Sequence, residues 1–166
     1  MRKIVIVLLL MAMLTGCGAT QTMETLGNID HVSPTQPFLR AVALTLPADA
    51  AVDTLAGEEG VTVYSCDRYM IVLQTFASGN MAESVRQLSG FTPDALTILE
   101  SDCQDHKRYD WVWTAAAEEG DMVCRGAILD DGKHHYALCA MAKSQDAGSL
   151  QEDWNGLFAS FCLESQ

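Results

Sequence analysis

The sequence predicts an α+β fold: an antiparallel, meandering sheet flanked by helices. Three observations carry that expectation. Apolar, β-rich stretches follow one another through short polar turns, as in "VTVYSCDRYMIVLQTF" and "DMVCRGAILDDGKHHYALCAMA". That is the pattern of hairpins, not of strands joined by crossover helices. Only two segments have helical spacing with start or stop signals, around residues 80–90 and 149–161. The last hairpin is apolar on both sides, whereas a sheet with one wet face alternates cleanly.

The elements follow in order. "FLRAVALTLP" has strand composition and ends at Pro47. "ADAAVDTLAGEEG" is small and acidic, a loop with room for a short helical turn. "VTVYSC" and "YMIVLQTF" form a hairpin through Asp67-Arg68. The period then changes. Asn80 can cap a helix, Glu83 stands three residues on as in a capping box, Met81, Val85 and Leu88 share one stripe, and Gly90 stops it. "ALTILES" is the next strand, "SDCQDHK" a polar turn, and "RYDWVWTAAA" a strand with Tyr109, Trp111 and Trp113 on one face. On a sheet covered on both sides those rings are core; on an open sheet they would bind sugars or partners. Glu119-Gly120 turns the chain into the last hairpin. The closing helix, "SLQEDWNGLFASF", again has capping-box spacing at Ser149 and Glu152. Its apolar positions are Leu150, Trp154, Leu157, Phe158 and Phe161.

In the last hairpin, Val123, Ala127, Leu129, Tyr136, Leu138 and Ala140 fall on one side, and Cys124, Ile128, Ala137, Cys139 and Met141 on the other. Both sides therefore need a cover. Asp131-Gly132 is a strong two-residue turn signal. That turn sets Cys124 opposite Cys139, close enough for a disulfide or for two small buried thiols side by side. A one-residue slip would put them on opposite faces.

This element order, with the closing "WNGLFASF" helix after a final strand, resembles the PsbP-like α/β/α sandwich over about Phe38 to Leu163. The resemblance implies an accessory, assembly or binding domain, mostly without catalysis, and carries over no functional residue. The alternative architecture is a cystatin-like single helix on a curved sheet.

The N-terminus speaks to location. Arg2 and Lys3 precede an apolar run of 11 residues, Ile4 to Leu14. A membrane span needs about 20. A charged head and a short apolar core describe a secretory signal. Its exit, Leu14-Thr15-Gly16-Cys17, resembles the lipobox of bacterial lipoproteins. In that family the chain is cut before the cysteine, and the thiol carries a diacylglycerol with acyl chains such as palmitate. The resemblance makes Cys17 the lipidated N-terminus and the protein a lipoprotein held on the extracytoplasmic face of the cell membrane. Each buried CH₂ of the lipid adds about 0.8 kcal/mol. The chain then divides into a signal peptide (1–16), a lipidated N-terminus and flexible tether (17–36) and one α+β domain (37–166). The tether's 19 residues from Gly18 would span roughly 25 Å as a coil.

Charge narrows the partners. The chain holds 10 basic and 22 acidic residues, a net −12. Loss of residues 1–16 removes Arg2 and Lys3 and no acid, which leaves −14. Such a surface repels nucleic acid and anionic lipid. Membrane contact therefore falls to the lipid, and the partner or ligand stays open.

No motif carries chemistry. With Cys17 lipidated, five cysteines remain: Cys66, Cys103, Cys124, Cys139 and Cys162. Five is odd, so at least one is free or pairs between chains. There is no C-x-x-C and no G-x-S-x-G. Ser65, Ser78 and Ser160 have no catalytic context, and Glu118, Glu119 and Asp121 crowd a hairpin tip. The turns "SDCQDHK" and "DDGKHH" share one end of the sheet and gather Asp102, Asp105, His106, Asp130, Asp131 and His134. Those ligand types suit a divalent ion. Their spacing matches no metal motif, and His134 and His135 point to opposite faces. No cofactor or metal site is assigned. The sequence thus reads as a lipid-anchored, non-enzymatic accessory or binding domain. The alternative is a small extracytoplasmic enzyme or metal-binding protein using the acidic, histidine-bearing end of the sheet.

Overall fold

The computed structural model describes residues 39–54, 60–77, 79–118 and 120–164. Cys17, the signal segment, the tether and Glu119 lie outside them. All described residues belong to one unit, Pro37–Gln166.

The chain runs β1 (Val42–Ala43), β2 (Ala51–Val52), β3 (Val61–Ser65), β4 (Tyr69–Ala77) and α1 (Met81–Ser89). It continues through β5 (Leu99–Asp102), β6 (Lys107–Ala115), β7 (Met122–Asp130) and β8 (His134–Lys143). A short helix α2 (Ser144–Ala147) leads into α3 (Gln151–Ser160), and β9 (Cys162–Leu163) closes the chain. Strands β2 to β8 make one antiparallel seven-stranded sheet in the order β2-β3-β4-β8-β7-β6-β5, and β1 pairs with β9 apart from it. Strand β8 therefore lies between its hairpin partner β7 and the distant β4, which it pairs from Tyr69↔Ala142 to Ala77↔His134.

The two faces of β7–β8 divide as the alternation predicts. On one, Ile71, Leu129, Leu138 and Ala140 pack against Trp154, Leu157, Phe158 and Phe161 of the C-terminal helix region. On the other, Trp111, Trp113, Cys124, Ile128, Ala137 and Cys139 pack with Val85 of α1. Each fully buried Phe or Leu side chain contributes about 1.5–3 kcal/mol by leaving water. The predicted α+β class stands. Helices on opposite faces exclude the cystatin-like single-helix alternative.

Trp111 and Trp113 are core. Their rings stack at 6.0 Å over Gly126, which lies directly opposite Trp111. A Cβ on Gly126 would come within 2.8 Å of the Trp111 ring. Here glycine serves close packing, with no unusual backbone angle.

Several local expectations are corrected. Of "FLRAVALTLP", only Val42–Ala43 pairs as strand, and Ala51–Val52 in the supposed loop forms an edge strand. Asn80 does cap α1, its side chain accepting from the Ala82 N–H, but Glu83 reaches forward to Arg86 and Gln87 and leaves the capping box open. Ser149 is no N-cap: the chain already winds from Ser144, and the Ser149 hydroxyl donates to the Asp146 carbonyl. The hairpin turn is centred one residue later than expected. The Asp131 N–H bonds the His134 carbonyl across Gly132-Lys133. The Asp131 side chain stabilises this register by accepting from the Lys133 and His134 N–H groups. Opposite pairs consequently move by two, which preserves the faces but sets Cys124 against Met141 and Cys139 against Gly126. The two cysteines sit diagonally on one face as buried free thiols, not as the directly opposed pair anticipated for a disulfide. Burial pushes Cys124 up to about 12 and Cys139 well above the ordinary thiol value.

Gly126→Ala should lower stability by about 1–3 kcal/mol, the usual cost of overpacking a core. Urea unfolding followed by tryptophan fluorescence reads this directly. An unchanged midpoint would mean that the rings move aside freely.

Candidate functional site

The acidic and histidine-bearing end of the sheet forms as expected, since Lys107 pairs both Asp102 and Asp130. Its polar groups are engaged internally. The Tyr136 hydroxyl accepts from the Arg40 N–H and donates to Asp131. Asp105 accepts from the Arg40 guanidinium and from His106, each at 2.8 Å. Burial alone would raise the Asp131 carboxyl, but its bonds from His134, Lys133 and Tyr136 hold it below the ordinary value. Among the described residues no three His, Cys, Asp or Glu converge to hold a metal ion. Arg40 Nε and His134 Nδ1 make no hydrogen bond, and both atoms are buried away from solvent.

His135 points to the opposite face and builds what the sequence reading missed. Its Nδ1 lies 2.8 Å from the Ser84 hydroxyl, and its Nε2 lies 3.7 Å from Asp130. A serine, a histidine and an aspartate thus line up from α1 to β8 and β7. Ser84 is 4% exposed and His135 4%, so no substrate reaches the hydroxyl. The arrangement fastens helix to sheet. The two residues lie 51 positions apart, and no local pattern announces a partner that only the packing of α1 on β8 supplies. Burial lowers the His135 pKa, against the opposing pull of Asp130 and Asp131.

A surface concavity lies elsewhere, along α3, lined by segments 45–49, 68–69 and 152–157. Its volume of about 410 Å³ lies within the usual range for ligand sites, roughly 300–1,000 Å³. A second concavity beside Leu44, Leu73 and Tyr136 is smaller, about 180 Å³. Arg68 bridges the groove to α3, donating to Asp153 at 2.8 Å and to Ser149 at 3.1 Å. Asp49 accepts from the Asp67 N–H. Tyr69 packs edge-on against Trp154 at 6.2 Å. Burial, then Cys66, Asp153 and Asp49, push its hydroxyl up to about 12. None of these groove residues stood among the sequence candidates. They come from three separated segments, which only the closing helix brings together.

No protein-family model matches the sequence, and no curated protein matches it. Solved structures do. Cyanobacterial PsbP (CyanoP) from Synechocystis is similar at TM-score 0.56 and 10% identity, over 84% of this chain and 99% of that one. LpqN of Mycobacterium tuberculosis, described as involved in cell envelope biogenesis, is similar at TM-score 0.52 and 12% identity, over 80% and 88%. A protein of Bacteroides thetaiotaomicron matches at TM-score 0.52 and 11% identity over 75% of this chain, which spans only 46% of that one. At such identities the likeness shows the fold: the chain shares the PsbP-like architecture.

His135 sets a pH dependence. The unfolded chain takes up a proton near the ordinary histidine value of 6.5, and the buried folded ring resists it. Stability should therefore fall as pH drops below about 6.5. His135→Gln should flatten that slope between pH 6.5 and 5 in denaturant titrations. A slope that survives the substitution would assign the effect to other groups.

Proposed function

We propose that this protein is a binding or accessory domain, carried on the extracytoplasmic face of a bacterial membrane by a lipid on Cys17, and that it works by holding a partner and not by catalysis. The observation that carries the reading is the groove along α3, which has the composition of a recognition surface. Leu46, Pro47 and Leu157 give it an apolar lining, and Asp49, Arg68, Glu152 and Asp153 give it a charged rim. Recognition sites commonly join an apolar lining to a few placed polar groups.

Other features support the same reading. In the serine–histidine–aspartate alignment, Ser84 and His135 are buried. Among the described residues no helix is long and apolar enough to cross a membrane, and the attachment proposed is the lipid on Cys17 of the lipobox-like Leu14-Thr15-Gly16-Cys17. Of the proteins of similar fold, LpqN is described as involved in cell envelope biogenesis.

Two measurements test the proposal. Cys17→Ala should abolish labelling by a palmitate analogue and release the protein from the membrane fraction of its host. Unchanged labelling would refute lipidation at Cys17. Crosslinking of the full-length protein in its host membranes, followed by capture, should yield one recurrent partner. Capture no different from that of an unrelated lipoprotein would refute the binding role.

A further inference from the structure

The core face under α1 gathers sulfur. All methionines of residues 37–166 belong to it: Met81, Met122 and Met141 pack there, and Met70 lies directly opposite Met141. The core on the other face, under α3, holds none. Methionine fills gaps in any apolar core, so packing alone does not demand this segregation.

Two cysteines complete the pattern. Cys124 lies directly opposite Met141, and Gly126 directly opposite Cys139. Three sulfurs thus stand at three corners of one block on β7 and β8, with glycine at the fourth. Opposite side chains start about 4.5–5.5 Å apart, and diagonal ones about 7–8 Å. From such positions cysteine and methionine lean inward to share one ion, whose bond to a thiolate is about 2.3 Å. Among the described residues no three His, Cys, Asp or Glu converge on a metal. This block differs, because its third ligand is a thioether.

A second observation points to a ligand. Trp111 is 3% exposed, and among the described residues its Nε1–H has no hydrogen-bond partner. Its Cε2, bonded to that nitrogen, would lie 2.9 Å from a Cβ on Gly126. The orphan donor therefore stands at the glycine corner, across from Cys139. A neutral thiol is a weak acceptor. A metal-bound thiolate is a strong one, and metal ligands are commonly fixed by such an outer hydrogen bond.

We infer that Cys124, Cys139 and Met141 bind one cuprous ion, with the Trp111 N–H donating to the Cys139 sulfur. Soft thiolate and thioether ligands select Cu(I), whereas structural zinc takes four Cys or His ligands. The ion replaces two thiol protons, which pass to solvent, and no electron is transferred. Met70, Met122 and Met141 are only partly buried, which gives the ion a thioether route inward. This site is separate from the groove along α3 and independent of the binding-domain reading.

The test uses the full-length protein from its host membranes, in neutral detergent micelles under reducing, anaerobic conditions. Cys66→Ser, Cys103→Ser and Cys162→Ser silence the other thiols. Cuprous ion is titrated in against a bathocuproine chelator. One equivalent should bind, with a thiolate-to-copper ultraviolet band, quenched tryptophan fluorescence, proton release and a raised melting temperature. Cys124→Ala with Cys139→Ala should abolish the band. Trp111→Phe should weaken binding about ten- to a hundredfold, the usual effect of losing a partner to a metal ligand. Met141→Leu conserves volume, so its loss of affinity reads the thioether even where the cysteine variants unfold. No binding against the chelator, a band that survives loss of both cysteines, or full affinity in Met141→Leu would each overturn the assignment. Full affinity in Trp111→Phe would overturn the role of its N–H.

Discussion

The fold depends on one constraint, that the β7–β8 hairpin is apolar on both of its faces. Ala127, Leu129, Leu138 and Ala140 on one side, and Ile128 on the other beside the nearly inaccessible Ala137 and Cys139, are shut off from solvent. No two-layer arrangement can bury both. The closing helix covers one face with Trp154, Leu157 and Phe158, and α1 covers the other with Val85. On that second face Gly126 lets the Trp111 and Trp113 rings stack directly against β7.

Polar groups hold those covers in register. Arg108 on β6 donates to the carbonyls of Phe158 and Phe161 at the end of α3, while Asp110 steadies it from the other side. A cation at a helix C-terminus satisfies carbonyls that have no partner within the helix and complements the helix dipole. Arg125 lies 4.3 Å from the centre of the Phe158 ring and donates to Asn155. On the other face, the Ser84–His135 contact does the corresponding work for α1. Residue types that commonly do chemistry are here committed to fastening. The polar end of the sheet follows the same logic, with Asp131 forming the turn and Asp105 neutralising Arg40.

The groove along α3 joins Leu46, Pro47 and Leu157 to Asp49, Arg68, Glu152 and Asp153, and Arg68 ties it to the helix region through Asp153 and Ser149.

The sequence by itself determined the class, the antiparallel hairpins, the two longer helices and the sidedness of nearly every core residue. Those properties follow from periodicity, which is local. It also placed the two polar turns at one end of the sheet, because hairpin strands must alternate in direction. It could not determine the register of the last hairpin, where the Asp131 side chain selects Gly132-Lys133 over Asp131-Gly132. The even shift that results left the faces intact and still separated Cys124 from Cys139. Nor could it show that β8 lies beside β4, that Ser84 meets His135, or that residues 45–49, 68–69 and 152–157 share one groove. Those contacts join segments tens of residues apart. They exist only because an apolar hairpin must be covered twice, and that burial is a property of the whole chain.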